Sequence, residues 1–363
     1  MPGFIRRRGK HSWQVAVSAG FDPRTGRRVR VWRTVKGTRK EAERLLARLL
    51  HEAAQGALVD PGRCTVEEWL RAWLDLKRPT VSVKTFERYE EVVRLHVMPA
   101  LGRILLHRLH PHHVQRLYAD LLGAGKHPRT VLHVHRVLHT ALEAAVRQQV
   151  VGRNVCDAVE PPRVPVQELR VPSEEEVFSL LDASRGTRLY LPILLGALCG
   201  LRRGEVLALR WEDVDLVRGV LQVRRSLVET RQGVVVKEPK SGRARAVVIP
   251  RLVVDALSST RLDCRSELVC PSTSGSYWFP SKFDQAYREV CRRAGVRVLF
   301  HALRHFHASY LIRSGADIRT VAGRLGHSTP TLTLNTYGHL LPGAQEDAVR
   351  RMEEHLDARL TAH

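Results

Sequence analysis

The sequence lacks the cysteine spacing that builds metal or disulfide centres. Its 363 residues include six cysteines, which are dispersed along the chain without a C-x-x-C pair. Zinc sites and disulfide frameworks show paired or regularly spaced cysteines, so this pattern favours free thiols in a reducing compartment. The six are Cys64, Cys156, Cys199, Cys264, Cys270 and Cys291.

Long hydrophobic runs are also missing. The longest, residues 189–201, contains Pro192 and is shorter than the roughly 20 apolar residues that a membrane-spanning helix needs. The basic residues 1–13 are not followed by the apolar segment of a signal peptide. The sequence therefore predicts a cytoplasmic protein with no membrane contact, in which residues 189–201 form a buried helix.

Acidic residues are scarce relative to basic ones. Lys and Arg number 59 against 37 Asp and Glu, which gives a formal net charge of +22 at pH 7. Such a field attracts polyanions, of which nucleic acid is the commonest and an anionic membrane surface the rival. Most of the basic residues are arginine, whose planar guanidinium can donate to two phosphate oxygens at once. Hydrophobic residues still make up 44% of the chain, which is enough for packed cores.

Residues 1–58 predict a small β-sheet followed by one helix. Apolar residues alternate with polar ones in segments 12–19 and 27–35, on either side of a turn that contains Pro and Gly. Thr38 and Glu41 have the spacing of a capping box, which predicts that a helix begins there. The segment is strongly basic, and three of its arginines are candidate DNA contacts: Arg27, Arg28 and Arg30.

Residues 64–158 predict an all-helical domain. Apolar residues recur at helical spacing after Pro111 and again after Pro128. The second of these helices carries a polar stripe formed by Arg129, His133 and Arg136. This stripe is a candidate contact to DNA phosphates, and the alternative is an ordinary solvated helix face.

A proline-rich segment, residues 159–169, predicts a linker to a third domain at residues 170–363. Prolines resist helix formation and keep the chain extended. The third domain is predicted to be mainly helical, with a few short strands between residues 221 and 249. The predicted fold class is therefore mainly α and multidomain. It comprises a small β-sheet-plus-helix N-terminal domain, a helical domain, and an α-rich domain with a small antiparallel β-sheet.

The third domain holds four unusual polar clusters. Arg202 and Glu205 follow the long apolar run, and they can pair with each other as an ordinary ion pair. Lys240 lies in a predicted hairpin turn, where a basic residue is common for solubility alone. His301 and Arg304 are three residues apart and so share a helix face. The fourth cluster contains His327, in a predicted turn between helices, and Tyr337, about two turns into the next helix.

A zinc site is the alternative interpretation of the third cluster. His301 and His305 have the i, i+4 spacing of a zinc-binding helix. However, Ala302 stands where that motif requires Glu, and Arg304 places a fixed cation beside both imidazoles. The sequence therefore predicts no metal site here.

Together the four clusters supply what phosphoryl transfer without a metal needs. Guanidinium groups can hold the two non-bridging oxygens of a phosphodiester as negative charge develops on them. A lysine can protonate the leaving 5′-oxygen, and a histidine can accept a proton from the attacking phenol. A tyrosine ester splits strand exchange into two steps.

The motifs G-L-R-R-G-E, H-A-L-R-H, L-G-H-S and T-Y-G-H resemble, in order and spacing, those of the tyrosine recombinase or phage integrase family. The resemblance implies that Tyr337 is the nucleophile that cuts and rejoins DNA through a 3′-phosphotyrosine. It also implies an accessory role for Glu205. The implied catalytic residues are Arg202, Lys240, His301, Arg304, His327 and Tyr337, and Lys237 is an alternative to Lys240. Cys199 and Ala302 depart from the family pattern without removing a catalytic group.

The same resemblance implies a three-part layout and a set of partners. Residues 1–58 would be an arm-type DNA-binding domain, residues 64–158 a SAM-like core-binding domain, and residues 170–363 the catalytic domain. The implied partners are double-stranded DNA at attachment sites and a homotetramer on that DNA, near the nucleoid. An accessory directionality factor or DNA-bending protein is compatible with this layout. No cofactor is implied.

Three alternatives remain open from the sequence. The last predicted helix, about residues 345–360, would swap between protomers or dock onto its own domain. The chain would be a DNA-integrating or DNA-excising enzyme of a mobile element, or a non-catalytic DNA-binding regulator with the same fold. A metal-dependent nuclease is disfavoured because no acidic ligand cluster accompanies the histidines.

Overall fold

The computed structural model describes residues 3–9, 12–21, 28–54, 64–165, 170–238, 244–263, 265–337, 349–350 and 352–353. The chain divides into two compact units, Met1–Val166 and Gln167–His363. The further division of the first unit into two domains stays a prediction.

The first unit begins with a three-stranded antiparallel sheet and one helix. The strands are β1 (Phe4–Gly9), β2 (Ser12–Phe21) and β3 (Arg28–Lys36), in the order β1-β2-β3. Helix α1 (Arg39–Ala54) packs on β2, where it buries Val15 and Val17 against Ala42 and Leu49. Strand β1 was not expected, because its run of arginines hides the alternation of apolar residues.

The rest of the first unit is helical. Its helices are α2 (Val66–Lys77), α3 (Val83–Val92), α4 (Met98–Leu101), α5 (Pro111–Gly123) and α6 (Pro128–Arg147), with a π-helical turn, Val93–Val97, between α3 and α4. The capping box at Thr65 and Glu68 is present. Trp69, Trp73 and Leu138 lie in a core that all these helices contribute to.

The second unit is mainly helical with two small antiparallel sheets. Its helices are α7 (Glu174–Ser184), α8 (Tyr190–Cys199), α9 (Arg203–Ala208), α10 (Arg251–Asp263), α11 (Pro280–Arg293), α12 (Phe300–Arg313), α13 (Ile318–Leu325) and α14 (Pro330–Tyr337). Its strands are β4 (Val214–Asp215), β5 (Val220–Val223), β6 (Ser226–Thr230), β7 (Gly233–Lys237) and β8 (Arg245–Val248). The sheets have the orders β4-β5-β8 and β6-β7. The fold class predicted from the sequence is confirmed.

The apolar run forms the buried helix that the sequence predicted. Helix α8 carries Ile193, Leu194 and Leu195 without solvent exposure. Its Gly196 faces α12, where an added Cβ would lie 3.0 Å from the Phe300 ring. Helix α8 ends at Gly200, which has a left-handed φ of 67°. This termination places the following arginines at the end of the most buried helix and beside α12.

The described residues lack both a membrane-spanning helix and a cluster of metal ligands. Within that part of the chain no helix has the length and apolar character to cross a membrane. Likewise, the residues with described positions contain no group of three or more His, Cys, Asp or Glu side chains arranged to hold a metal ion. Five cysteines are free thiols, and Cys264 lies outside the described residues.

Candidate active site

The first site residues are fixed by the start of α9. Arg202 is its N-cap residue, and the backbone N–H of Arg202 donates to Oε2 of Glu205 at 2.8 Å. The Arg202 side chain donates from Nη1 to Oε1 of the same carboxylate, also at 2.8 Å. The spacing of three residues that suggested this ion pair is thus the spacing of a helix cap. The guanidinium of Arg202 remains 29% exposed.

A second arginine, which no sequence motif singled out, binds the same carboxylate of Glu205. Arg245 on β8 donates from Nη1 and Nη2 to the two carboxylate oxygens, at 2.9 and 2.7 Å. Glu205 is 2% exposed. Burial by itself would raise the pKa of this carboxyl, but the hydrogen bonds and charge of Arg245, with those of Arg202, lower the pKa to about 2. The site therefore contains a carboxylate that is ionised at every physiological pH.

Replacing Glu205 with glutamine is expected to lower the free energy of unfolding by about 3–5 kcal/mol, because Arg245, which is largely buried, and Arg202, which is partly exposed, lose their counter-charge. Folding lowers the pKa of Glu205 from 4.5 to about 2, so its stabilisation is fully present above pH 4.5 and is lost as the pH falls toward 2. Urea denaturation at a series of pH values measures both effects. The difference between wild type and variant should narrow across that window.

Glu289→Gln is the matched control for this prediction. Glu289 pairs with Arg292 on the surface of α11, where the two side chains are 52% and 75% exposed. Screening by solvent leaves such pairs little influence on stability. Equal losses of stability for the two variants would contradict the argument that the buried carboxylate organises the site.

Three arginines converge on the C-terminus of α13. Arg245 donates from Nε to the carbonyl of residue 324 at 2.9 Å. Arg304 donates from Nη2 to the carbonyl of residue 325, and Arg202 donates from Nη2 to that of residue 326 at 3.3 Å. The last carbonyls of a helix lack partners within the helix and carry its partial negative charge. The end of α13 therefore gathers guanidinium groups from three separate elements into one place.

Arg304 is the most buried of these cations. It is 2% exposed, and its Nη1 donates to the carbonyl of Gly200 at 2.7 Å. Burial, and then the charge of Arg202, lower the pKa of Arg304 to about 9. The guanidinium still carries its charge at neutral pH, in surroundings where that charge is poorly screened.

Two histidines flank the arginines. His301 is exposed on the first turn of α12, and desolvation by its neighbours, with the charges of Arg304 and Arg202, lowers its pKa. His327 follows Gly326, and its Nδ1 lies 2.8 Å from the Thr333 hydroxyl. Burial, and then the charges of Arg304 and Arg202, lower the pKa of His327 to about 4. Both imidazoles are thus neutral at neutral pH.

Tyr337 is the last residue of α14 and is only 1% exposed. Burial raises the pKa of its phenol to about 12, although the charge of Arg304 acts in the opposite direction. The phenol oxygen lies 2.5 Å from Nδ1 of His305. This histidine is outside the set of catalytic residues that the family resemblance implies.

The structure brings most of the predicted site together. Arg202, Glu205, Arg304, His301, His327 and Tyr337 are joined by the hydrogen bonds above and by charge interactions with Arg304. Lys240 lies outside the described residues, whereas the alternative, Lys237, ends β7 and pairs with Ser226 in the β6-β7 hairpin.

The candidate DNA contacts of the first unit are less defined. Arg27 lies outside the described residues, and Arg28 and Arg30 are on β3 without described side chains. On α6, Arg129 and Arg136 are exposed and His133 is half-buried. Contact between this stripe and DNA stays a prediction.

A cavity of about 660 Å³ opens beside the cluster. Arg202, Arg203 and His301 line one part of it, and Asp284, which pairs with Arg203, lines another. A neutral imidazole and fixed guanidinium groups around one opening suit an anionic, phosphate-sized group. The buried phenol of Tyr337 lies in the same charge network through its interaction with Arg304.

Comparison with known proteins agrees with this chemistry. Residues 170–343 match the phage integrase family, and residues 65–122 match the phage integrase N-terminal SAM-like domain. A tyrosine recombinase XerC-like protein of Caldanaerobacter subterraneus subsp. tengcongensis is 28% identical over 96% of this chain and 97% of its own length.

Two solved structures have a similar fold. The Tn1549 transposon integrase in complex with a circular intermediate DNA has a TM-score of 0.71 at 18% identity, over 80% of this chain and 100% of that one. A lambda integrase tetramer bound to a Holliday junction has a TM-score of 0.62 at 17% identity, over 91% of this chain and 97% of that one.

Proposed function

Since the chain belongs to the phage integrase family of tyrosine recombinases, we propose that it is a site-specific DNA recombinase whose nucleophile is Tyr337. It cuts and rejoins DNA strands and so integrates or excises a mobile element. The observation that carries the residue assignment is the meeting of a phenol, two guanidinium groups and two imidazoles around the ends of α12, α13 and α14. A fold kept for binding alone would not need all of these groups.

The proposed reaction begins with the scissile phosphate held by Arg202 and Arg304. Their free donors face the non-bridging oxygens, where negative charge grows as the fifth ligand approaches phosphorus. Oη of Tyr337 attacks in line and passes its proton to a histidine of α12. The bond to the 5′-oxygen breaks, and Lys240 protonates that oxygen. The 5′-hydroxyl of a partner strand then attacks the 3′-phosphotyrosine and releases Tyr337.

The same proposal includes the DNA substrate and the oligomer that acts on it. The substrate is double-stranded DNA at attachment sites, in the cytoplasm, and a homotetramer assembled on two duplexes carries out the exchange. The basic β3 strand and the α6 stripe contact phosphates away from the cut. His327 donates to the scissile phosphate together with the arginines, and the reaction needs no metal ion.

The test of this function is a covalent adduct that survives denaturation. A random-sequence duplex pool is incubated with the wild-type chain in EDTA, and DNA that stays attached to protein in SDS is recovered and sequenced. A phosphotyrosine mechanism predicts a recovered duplex with one defined cleavage position. Tight DNA binding without any adduct would favour the non-catalytic regulator, and cleavage that requires a divalent metal would favour a nuclease.

The general acid is distinguished by substituting each candidate lysine. Lys240→Ala is expected to slow cleavage of the recovered duplex by about 100- to 10,000-fold, because an alkoxide leaves without a proton. A duplex with sulfur in place of the bridging 5′-oxygen has a good leaving group and should restore the rate of that variant. Lys237→Ala is the control, with little effect expected on either substrate. Sulfur rescue of Lys237→Ala instead would transfer the role to that residue.

A further inference from the structure

Tyr337 contacts His305, a histidine that the family resemblance does not place among the catalytic residues. We propose that His305 is the base that takes the phenolic proton when Tyr337 attacks DNA. The inference rests on the proposed function, since it concerns the same nucleophile. Its basis is the distance of 2.5 Å between Nδ1 of His305 and Oη of Tyr337, the shortest route for a proton leaving that oxygen.

Burial makes a protein acceptor necessary. Tyr337 is 1% exposed, so bulk water is not at hand for its proton. His305 is half-buried, and its ring meets that of exposed His301 edge to face, with centroids 4.8 Å apart. The ring of His305 thus lies between the buried phenol and a histidine that is exposed to solvent.

Burial and the charges around His305 keep its imidazole unprotonated. His301 and Arg304 face it from its own helix, His327 from the turn after α13, and the Tyr337 phenol from α14. Burial, and then the charges of the three basic neighbours, lower the pKa of His305 to about 4. The imidazole is thus neutral at neutral pH and has a lone pair free. A bound phosphodiester brings negative charge into this field and raises the proton affinity of His305 at the moment of attack.

His305 exchanges a proton with Tyr337 both in strand cleavage and in rejoining. As the bond from Oη to phosphorus forms, the phenolic proton moves to Nδ1 of His305, and the bond from phosphorus to the 5′-oxygen breaks with protonation by the general acid. In rejoining, the 5′-hydroxyl attacks and His305 returns the proton to the departing Oη of Tyr337.

The experiment compares pH profiles of cleavage. His305→Asn places an amide near the position of Nδ1, so a hydrogen bond to Tyr337 remains possible while proton transfer does not. The substrate is the duplex recovered as an SDS-resistant adduct, with sulfur at the bridging 5′-position so that the general acid is not needed. Single-turnover cleavage is measured between about pH 6 and pH 9.

The first unit offers a matched control pair. Oη of Tyr118 lies 2.8 Å from Nδ1 of His135, with ring centroids 5.8 Å apart. The centroids of His305 and Tyr337 are also 5.8 Å apart. His135→Asn therefore makes the same chemical change at a similar tyrosine in the other unit. Its cleavage rate should equal that of the wild type.

His305→Asn is expected to change the pH dependence of cleavage and not only its rate. Wild-type cleavage should be nearly independent of pH, whereas His305→Asn should start about 100- to 10,000-fold slower and rise about tenfold per pH unit as the phenol ionises by itself. A variant profile parallel to the wild type, or a rate equal to it, would overturn the inference.

A second variant covers the case in which His305→Asn does not fold. His305→Ala leaves a space into which added imidazole can enter, and imidazole should then restore cleavage. DNA binding without such recovery would overturn the inference. Failure of the proposed function is distinct from both results, because the wild-type chain itself would then form no adduct.

Discussion

Tyr337→Phe is expected to abolish the covalent adduct while leaving DNA binding intact. Loss of a nucleophile typically lowers turnover by roughly a million-fold, which takes cleavage below detection. Phenylalanine keeps the ring that packs in the core with Ala308, Ile312 and Val321. It removes only the oxygen that contacts His305, so the fold loses about 0.5–1.5 kcal/mol for one hydrogen bond. The measurement is SDS-resistant adduct formation beside a gel-shift titration of the same duplex.

Tyr118→Phe is the matched control for this prediction. Tyr118 is also 1% exposed and also contacts a histidine through its hydroxyl. Both variants therefore lose a buried hydroxyl and a hydrogen bond, but only one loses the proposed nucleophile. An adduct that persists in Tyr337→Phe, or disappears equally in both variants, would exclude the assignment of Tyr337.

Several residues of the candidate site could be predicted from their local spacing in the sequence. Arg202 caps helix α9, and Glu205 lies in the first turn of that helix. Their spacing of three residues therefore reflects the short-range geometry of a helix cap. The run after Tyr190 is apolar throughout, which predicts a buried helix whichever way it packs. These features need no knowledge of the tertiary structure.

Contacts between distant segments were not accessible in the same way. Arg245 meets Glu205 across 40 residues of sequence, and no local pattern separates it from the other arginines near the hairpin. The sequence indicates His305 only as a possible zinc ligand, because its spacing from His301 is local. Its contact with Tyr337, 32 residues away, is not visible in the sequence. Side chains that meet only through the packing of α12 against α14 are found from the structure.

Arg304→Lys is the second change with a large expected effect. Two of the guanidinium nitrogens donate to the carbonyls of Gly200 and Leu325, which leaves the remaining donors oriented by a fixed frame. A lysine side chain cannot hold two carbonyls and a phosphate oxygen in that geometry. Cleavage should fall by about 100- to 1,000-fold, the scale of removing one donor to a developing oxyanion.

The binding of DNA separates this effect from a general loss of positive charge. Many phosphate contacts contribute to affinity and residue 304 is only one of them, so the dissociation constant should change little. Arg292→Lys is the control on the exposed face of α11, where the side chain is 75% exposed and pairs with Glu289. If Arg304→Lys weakened DNA binding and cleavage by the same factor, Arg304 would stabilise the bound DNA without any additional stabilisation of the transition state. Loss of cleavage at unchanged affinity would mean instead that Arg304 acts on the transition state.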